Sequence, residues 1–277
     1  MRTKFASAML FLAVSFASVH ASADLIPYQN EQNKMGFVNE NNQIVIEAAW
    51  NRVAYFRDGK TAIVTLIESD GSERQGIIDT DGHYLVPCEY LIIDGEGGAL
   101  FGGKKNDGFY LIFNEDRSLM GFYDIKNHLF CEPMYSDVVL YQDDDSHMIA
   151  VRDVDEELYG YINAITGEAI TEFLFDEAGP VTDGVAAATA YDPDTDEFFE
   201  YIVHQDGRMI MLAEGITVED PESHHGLFIA ADEEGFFLIN TEGIIVSDQY
   251  DSIELSPNGI NYLGLLDDEW EIISLKQ

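Results

Sequence analysis

From position 35 onward the chain is written in short runs of apolar and polar residues, each closed by a turn rich in glycine, asparagine or aspartate. Gly36 to Asn39 is apolar and β-prone, Glu40-Asn41-Asn42 has turn chemistry, and Gln43 to Glu47 alternates again. After an aromatic hinge at Trp50, Asn51 to Phe56 forms a third run, Arg57-Asp58-Gly59 a second turn, and Thr61 to Ile67 a fourth run. The pattern predicts four short strands in sequence, a β-meander.

The same unit recurs along the chain. MGFVNENNQIVIEAAW from Met35 aligns without a gap with QGIIDTDGHYLVPCEY from Gln75, and further copies begin at Met120, Tyr159, Glu200 and Phe236. With Gly36, Gly76, Gly121, Gly160, Tyr201 and Phe237 as equivalent starts, the steps are 40, 45, 39, 41 and 36 residues. Glycines recur in the first turn at Gly82, Gly167, Gly207 and Gly243, where a positive φ is cheap without a side chain beyond Cα. Aromatics recur about fourteen positions after five of the six starts, at Trp50, Tyr90, Tyr135, Phe175 and Tyr250, the fifth copy lacking one. A second turn recurs at Asp58-Gly59, Asp183-Gly184 and Asn258-Gly259. Recurrence at a fixed period assigns these residues to the fold rather than to a cofactor site. The same holds for His83, His128 and His204, which lie in or beside the first turn of three copies.

The expected architecture is therefore all-β, a single domain over residues 24–277 made of about six four-strand meanders of ~40 residues. Such units close into a β-propeller-like ring or form an open, curved β-repeat array. Leu25 to Gln29 before the first copy and Glu269 to Leu275 after the last supply extra strands, which in a ring would pair to seal it.

The copies resemble the WG-repeat family. The resemblance rests on Tyr159-Gly160-Tyr161-Ile162-Asn163, on Gly76-Ile77-Ile78-Asp79 followed by Leu85-Val86-Pro87, on the pairs Tyr250-Asp251 and Phe175-Asp176, and on Gly184-Val185-Ala186. It runs from Met35 through nearly all the remaining chain. It implies an exported or surface-associated interaction protein with no shared enzymatic activity, and it transfers no functional residue.

The N-terminus changes the setting. Arg2 and Lys4 precede an apolar stretch from Phe5 to Val19, and Ala21-Ser22-Ala23 offers small side chains for cleavage before Asp24. Residues 1–23 thus read as a secretory signal peptide, which places the mature chain in the periplasm or outside the cell. No later run of ~18 apolar residues predicts membrane insertion. In that setting Cys88 and Cys131 are candidates for a disulfide, the alternative being two thiols that act as small hydrophobes.

Charge then selects the partner. The chain has 52 Asp and Glu against 14 Lys and Arg, a formal net charge of −38, and removal of Arg2 and Lys4 deepens it. Such a surface repels nucleic acid and anionic membrane and accelerates encounter with cations. Two acidic patches, Asp143-Asp144-Asp145 and Asp153 with Asp155, Glu156 and Glu157, are candidate docking points for a basic protein. Asp192, Asp194 and Asp196 alternate in one loop as Ca²⁺ ligands do, although Glu197 and Val203 stand where an EF-hand has its glycine and its bidentate glutamate. No nucleophile elbow, His-Glu-x-x-His or phosphate loop is present. These features favour a non-enzymatic binding module for a basic protein, of inhibitor or immunity type. The alternatives are an envelope glycan hydrolase using two carboxylates and a Ca²⁺-stabilised structural repeat.

Overall fold

The computed structural model describes residues 25–57, 59–94, 109–139 and 146–276. The signal segment 1–23 and the run Asp143-Asp144-Asp145 lie outside the described residues. Every regular element among the described residues is a β-strand, in small antiparallel sheets. The chain divides into two compact units, residues 1–135 and 136–277.

In the first unit, β1 (Ile26–Gln29), β2 (Met35–Val38) and β3 (Ile44–Trp50) form a three-stranded sheet. A seven-stranded sheet follows, made of β4 (Arg52–Val53), β5 (Ala62–Ile67), β6 (Glu73–Ile78), β7 (Tyr84–Asp94), β8 (Phe109–Phe113), β9 (Met120–Asp124) and β10 (Leu129–Tyr135) in chain order. It is two four-stranded halves sharing β7, which pairs with β6 up to Tyr90 and with β8 from Leu91 onward.

In the second unit, β11 (Asp137–Val139), β12 (Met148–Arg152) and β13 (Tyr159–Asn163) form one sheet. The bridges Tyr159↔Phe175 and Ile162↔Ala169 extend it. The next sheet holds β14 (Glu177–Ala178), β15 (Val185–Asp192), β16 (Glu197–His204) and β17 (Met209–Met211). Then come β18 (Thr217–Val218), β19 (Leu227–Asp232) and β20 (Gly235–Asn240), and finally β21 (Ser252–Leu255), β22 (Tyr262–Leu266) and β23 (Glu269–Ile272).

The strands fall where the sequence pattern places them, but the sheets are offset from the copies. Each full sheet takes the third and fourth strands of one copy and the first and second of the next, as β4–β5 with β6–β7 shows. The offset follows from the hinge. At Trp50, Tyr90 and Tyr135 the second strand pairs back to the residue before the start glycine, at Met35, Gln75 and Met120. The chain then leaves for the following sheet.

Both faces of the central strands are buried, so they read as continuous apolar runs. Ile78 packs with Phe37, Ile46, Trp50 and Val64, while its neighbour Ile77 packs with Val86, Tyr110, Ile112 and Tyr123 on the other side. In the second unit Val203 joins Tyr161, Phe175 and Ala188, whereas Ile202 joins Phe228, Phe237 and Ile239. Consecutive residues of a strand point to opposite faces, and each large side chain so buried contributes ~1.5–3 kcal/mol. A polar substitution on such a strand therefore disturbs a core whichever face it enters.

The turn chemistry is equally regular. In the first turn the residue six or seven after the start takes a positive φ in all six copies: Asn42 (58°), Gly82 (84°), His128 (54°), Gly167 (70°), Gly207 (84°) and Gly243 (71°). His128 thus holds a glycine-type position and is a structural residue, as its recurrence in the sequence implies.

Cys88 and Cys131 are free thiols. The candidate disulfide is not formed and the alternative of two separate thiols is what the structure has, because β8 and β9 lie between the strands that carry the two residues. Three strand spacings amount to roughly 14 Å, about twice the reach of a disulfide. Burial pushes the Cys131 thiol up to about 12 and raises Cys88 as well, so both act as protonated hydrophobes.

Candidate functional site

The acidic residues fall into two groups, those that hold turns together and those that face solvent. Three positions after the start, a side-chain oxygen accepts from backbone N–H groups further along its own turn. Asn39 accepts from Asn41 and Gln43, Asp79 from Asp81 and His83, Asp124 from Lys126 and Asn127, Asn163 from Ile165 and Thr166, and Asn240 from Glu242 and Ile244, all at 2.8–3.1 Å. This local bonding makes Asx residues turn formers.

The β12–β13 turn carries Asp153, Asp155, Glu156 and Glu157. Asp153 accepts from the N–H groups of Asp155 and Glu156, both at 2.8 Å, so it shapes the turn. Asp155, Glu156 and Glu157 are exposed, with Glu157 in the left-handed region and its carbonyl accepting from Arg152 Nε at 2.8 Å.

The Asp192–Asp196 loop does not assemble a calcium ligand set. Asp192 Oδ1 accepts from the Asp194 N–H at 2.8 Å, and Asp196 Oδ1 accepts from the Tyr191 hydroxyl at 2.7 Å. Those bonds turn the carboxylates toward the loop itself. Among the described residues, the three chelating side chains that come within 4.8 Å of one another are instead Asp79, Asp81 and His83. Asp79 there already serves the turn backbone, and the sequence pattern gives His83 that same turn role. Alternating acids fit a turn as well as a metal.

The loop sits at the tip of an unusually long hairpin. β15 and β16 pair over eight rungs, from Val185↔His204 to Asp192↔Glu197. Flanking strands support only part of it, β14 reaching Thr189 and β17 reaching Tyr201. The rungs Ala190↔Phe199, Tyr191↔Phe198 and Asp192↔Glu197 overhang. There Tyr191 and Phe198, 40% and 64% exposed, lie 5.2 Å apart between ring centroids. The Tyr191 N–H donates to Asp176 Oδ2 at 2.7 Å.

Two rungs inward, and so on the same face, Glu177, Thr189 and Glu200 form a row across β14, β15 and β16. Glu200 accepts from the Thr189 hydroxyl at 3.2 Å. Burial holds the Glu200 carboxyl above its ordinary range, and the neighbouring Glu177 and Glu219 raise it further against the lowering effect of Thr189. Sequence reading overlooked Glu200, Tyr191 and Phe198. The available signal was that position 200 carries a charge where other copies carry Met35, Gln75, Met120, Tyr159 and Phe236.

Basic residues are few, and several are engaged locally. Arg52 pairs with Glu73, Arg74 with Glu115, Arg208 with Asp206 and Glu242, and Lys276 with Asp248. Exposed pairs of this kind add little stability, a median of about 0–1 kcal/mol each.

The family described as WG containing repeat matches residues 35–66 and 159–189. The two segments begin at the first and fourth copies of the meander. Among solved structures the chain is similar to Kluyveromyces lactis Hsv2, at 11% identity and a TM-score of 0.36 over 79% of this chain and 72% of that one. It is also similar to Citrobacter koseri AztD, at 12% identity and a TM-score of 0.31 over 72% and 66% respectively. Likenesses this distant carry no argument about fold or function.

Proposed function

We propose that this chain, a β-repeat protein with WG containing repeats at residues 35–66 and 159–189, is an exported, non-enzymatic binding module whose partner is a basic protein. The observation that carries the reading is the charge balance of a folded repeat. A chain with 52 acids and 14 basic residues cannot neutralise its acids with its own basic residues, and exposed acids stand at turn tips, as Asp155 and Glu157 do. The summed field draws cations over a distance of about 10 Å at 0.1 M salt and weakens as salt rises.

The repeat supplies the other half of the reading. Its conspicuous glycines and aromatics serve bulges, turns and hinges, which leaves exposed carboxylates and a few exposed aromatics as the groups available to a partner. In the periplasm or outside the cell, an inhibitor or immunity protein facing a cationic toxin fits this description.

The test uses the purified chain on a sensor surface, with basic proteins and acidic proteins of matched size as analytes, at low and at high salt. Association with the basic set that is fast at low salt and slows steeply with added salt is the expected result. Equal response to both sets, or no basic analyte held at low salt, contradicts the reading.

A further inference from the structure

The second unit contains two rows of side chains at equivalent places in neighbouring sheets. In the β11–β12–β13 sheet the row is Asp137, Arg152, Tyr159, set by the pairs Asp137↔Arg152 and Arg152↔Tyr159. It is complete in itself. The Tyr159 hydroxyl donates to Asp137 Oδ2 at 2.6 Å, and the Arg152 guanidinium stands 5.7 Å from the Tyr159 ring centroid. An acid, an arginine and an aromatic satisfy one another.

In the next sheet the corresponding row is Glu177, Thr189, Glu200. The central arginine has become threonine and the aromatic has become a second acid. Two carboxylates now flank a short hydroxyl, and Glu219 adds to the local negative potential at Glu200. The aromatic component has moved outward by two rungs, to the exposed pair Tyr191 and Phe198 on the overhanging ladder. An acid-and-aromatic setting is retained while the cation is gone.

The geometry points to a docking surface for an arginine of a basic protein partner, its guanidinium entering between Glu177 and Glu200 above Thr189, where the neighbouring sheet has Arg152. Tyr191 and Phe198 would take the face of the guanidinium or the partner's adjoining apolar side chains. The occupant follows from charge complementarity and from the internal precedent. Guanidinium is planar, donates to two carboxylates at once and stacks on aromatic rings, which ammonium does less well. The inference rests on the proposed binding of a basic protein and assigns it a place.

The experiment measures binding of three labelled octapeptides, of arginine, lysine and citrulline, to the purified chain at low salt. The variants are Glu177→Gln/Glu200→Gln, Tyr191→Ser/Phe198→Ser, and Asp267→Asn/Asp268→Asn. The third removes the same charge as the first from the exposed β22–β23 turn. Expected is a preference for arginine over lysine, no binding of citrulline, and a loss of about tenfold or more in either hairpin variant. The turn variant stays within about twofold, the effect of a diffuse field alone. Thermal melts of the same samples separate lost binding from lost folding, with the glutamine pair no less stable than the parent. Equal losses in the glutamine pair and the turn variant, or equal binding of lysine, overturn the docking surface and leave the broader reading standing. Failure of both cationic peptides to bind the parent chain overturns both.

Discussion

The third and fifth copies are built on the same meander and show what each recurring residue is for. In the third, Gly121 faces a bulge in β10, where the pairing shifts between Cys131 and Tyr135. A Cβ at Gly121 would lie 2.3 Å from the Cys131 carbonyl oxygen. The bulge allows Tyr135 to fold back to Met120 and close the hinge. In the fifth, Tyr201 replaces the glycine, and β16 pairs with β17 through Tyr201↔Met211, Ile202↔Ile210 and Val203↔Met209 without a shift. Leu212, whose N–H donates to the Glu200 carbonyl at 2.8 Å, stands in for the hinge aromatic. The Asx position is also lost, His204 standing there and reaching the Thr241 carbonyl through Nε2 at 2.9 Å. The sixth copy keeps the hinge, Phe236↔Tyr250, with Phe237 in place of the glycine. The fifth is therefore the copy that has lost both glycine and hinge aromatic, and it contributes Glu200 to the charged row and borders the overhanging hairpin. Departure from a repeat's own rules marks the place where something other than folding sets the residues.

The largest expected effect attacks the third copy. Gly121→Ala drives a methyl into backbone rather than a yielding side chain, and is expected to lower unfolding free energy by about 1–3 kcal/mol, measured by urea denaturation. An unchanged midpoint would detach the glycine from the bulge and dissolve the comparison. A smaller effect is expected in the turns. Asp79→Ala removes the acceptor of two backbone N–H groups and should cost about 1 kcal/mol, whereas His204→Ala, at the equivalent place with no such role, should cost less on the same assay.

The smallest effect sharpens the fifth copy. The folded-state pKa of Glu200 lies above its ordinary value because the charged form is half-buried beside other acids. The folded protein therefore holds that proton more tightly than the unfolded chain, and the cost of ionisation appears as pH rises above about 4.3. Glu200→Gln is expected to be slightly more stable than the parent at neutral pH, with the two melting curves converging as pH falls below that value. A variant less stable at neutral pH would indicate that the carboxylate is satisfied within the chain.

Much of the fold was legible before any coordinates. Turn glycines and Asx residues report local backbone conformation, and a fixed period multiplies a weak signal six times. Hidden from the sequence was everything that depends on register across strands. The sheets straddle two copies because of where the hinge pairs, and β7 joins two sheet halves by running on past Tyr90. The row Glu177–Thr189–Glu200 joins residues that the linear order scatters over two copies. For the same reason Cys88 and Cys131 looked available to each other, whereas two strands separate the ones that carry them. Spacing alone does not show, either, that Asp192 and Asp196 accept hydrogen bonds from the Asp194 N–H and the Tyr191 hydroxyl.

Thr189→Arg tests the central comparison most directly, since it gives the fifth copy's row the cation that Arg152 provides next door. Melting temperature and arginine-octapeptide affinity are measured on the same preparation. The account predicts a higher melting temperature together with loss of peptide binding, the built-in guanidinium taking the place of the partner's. Lower stability with undiminished binding would contradict it.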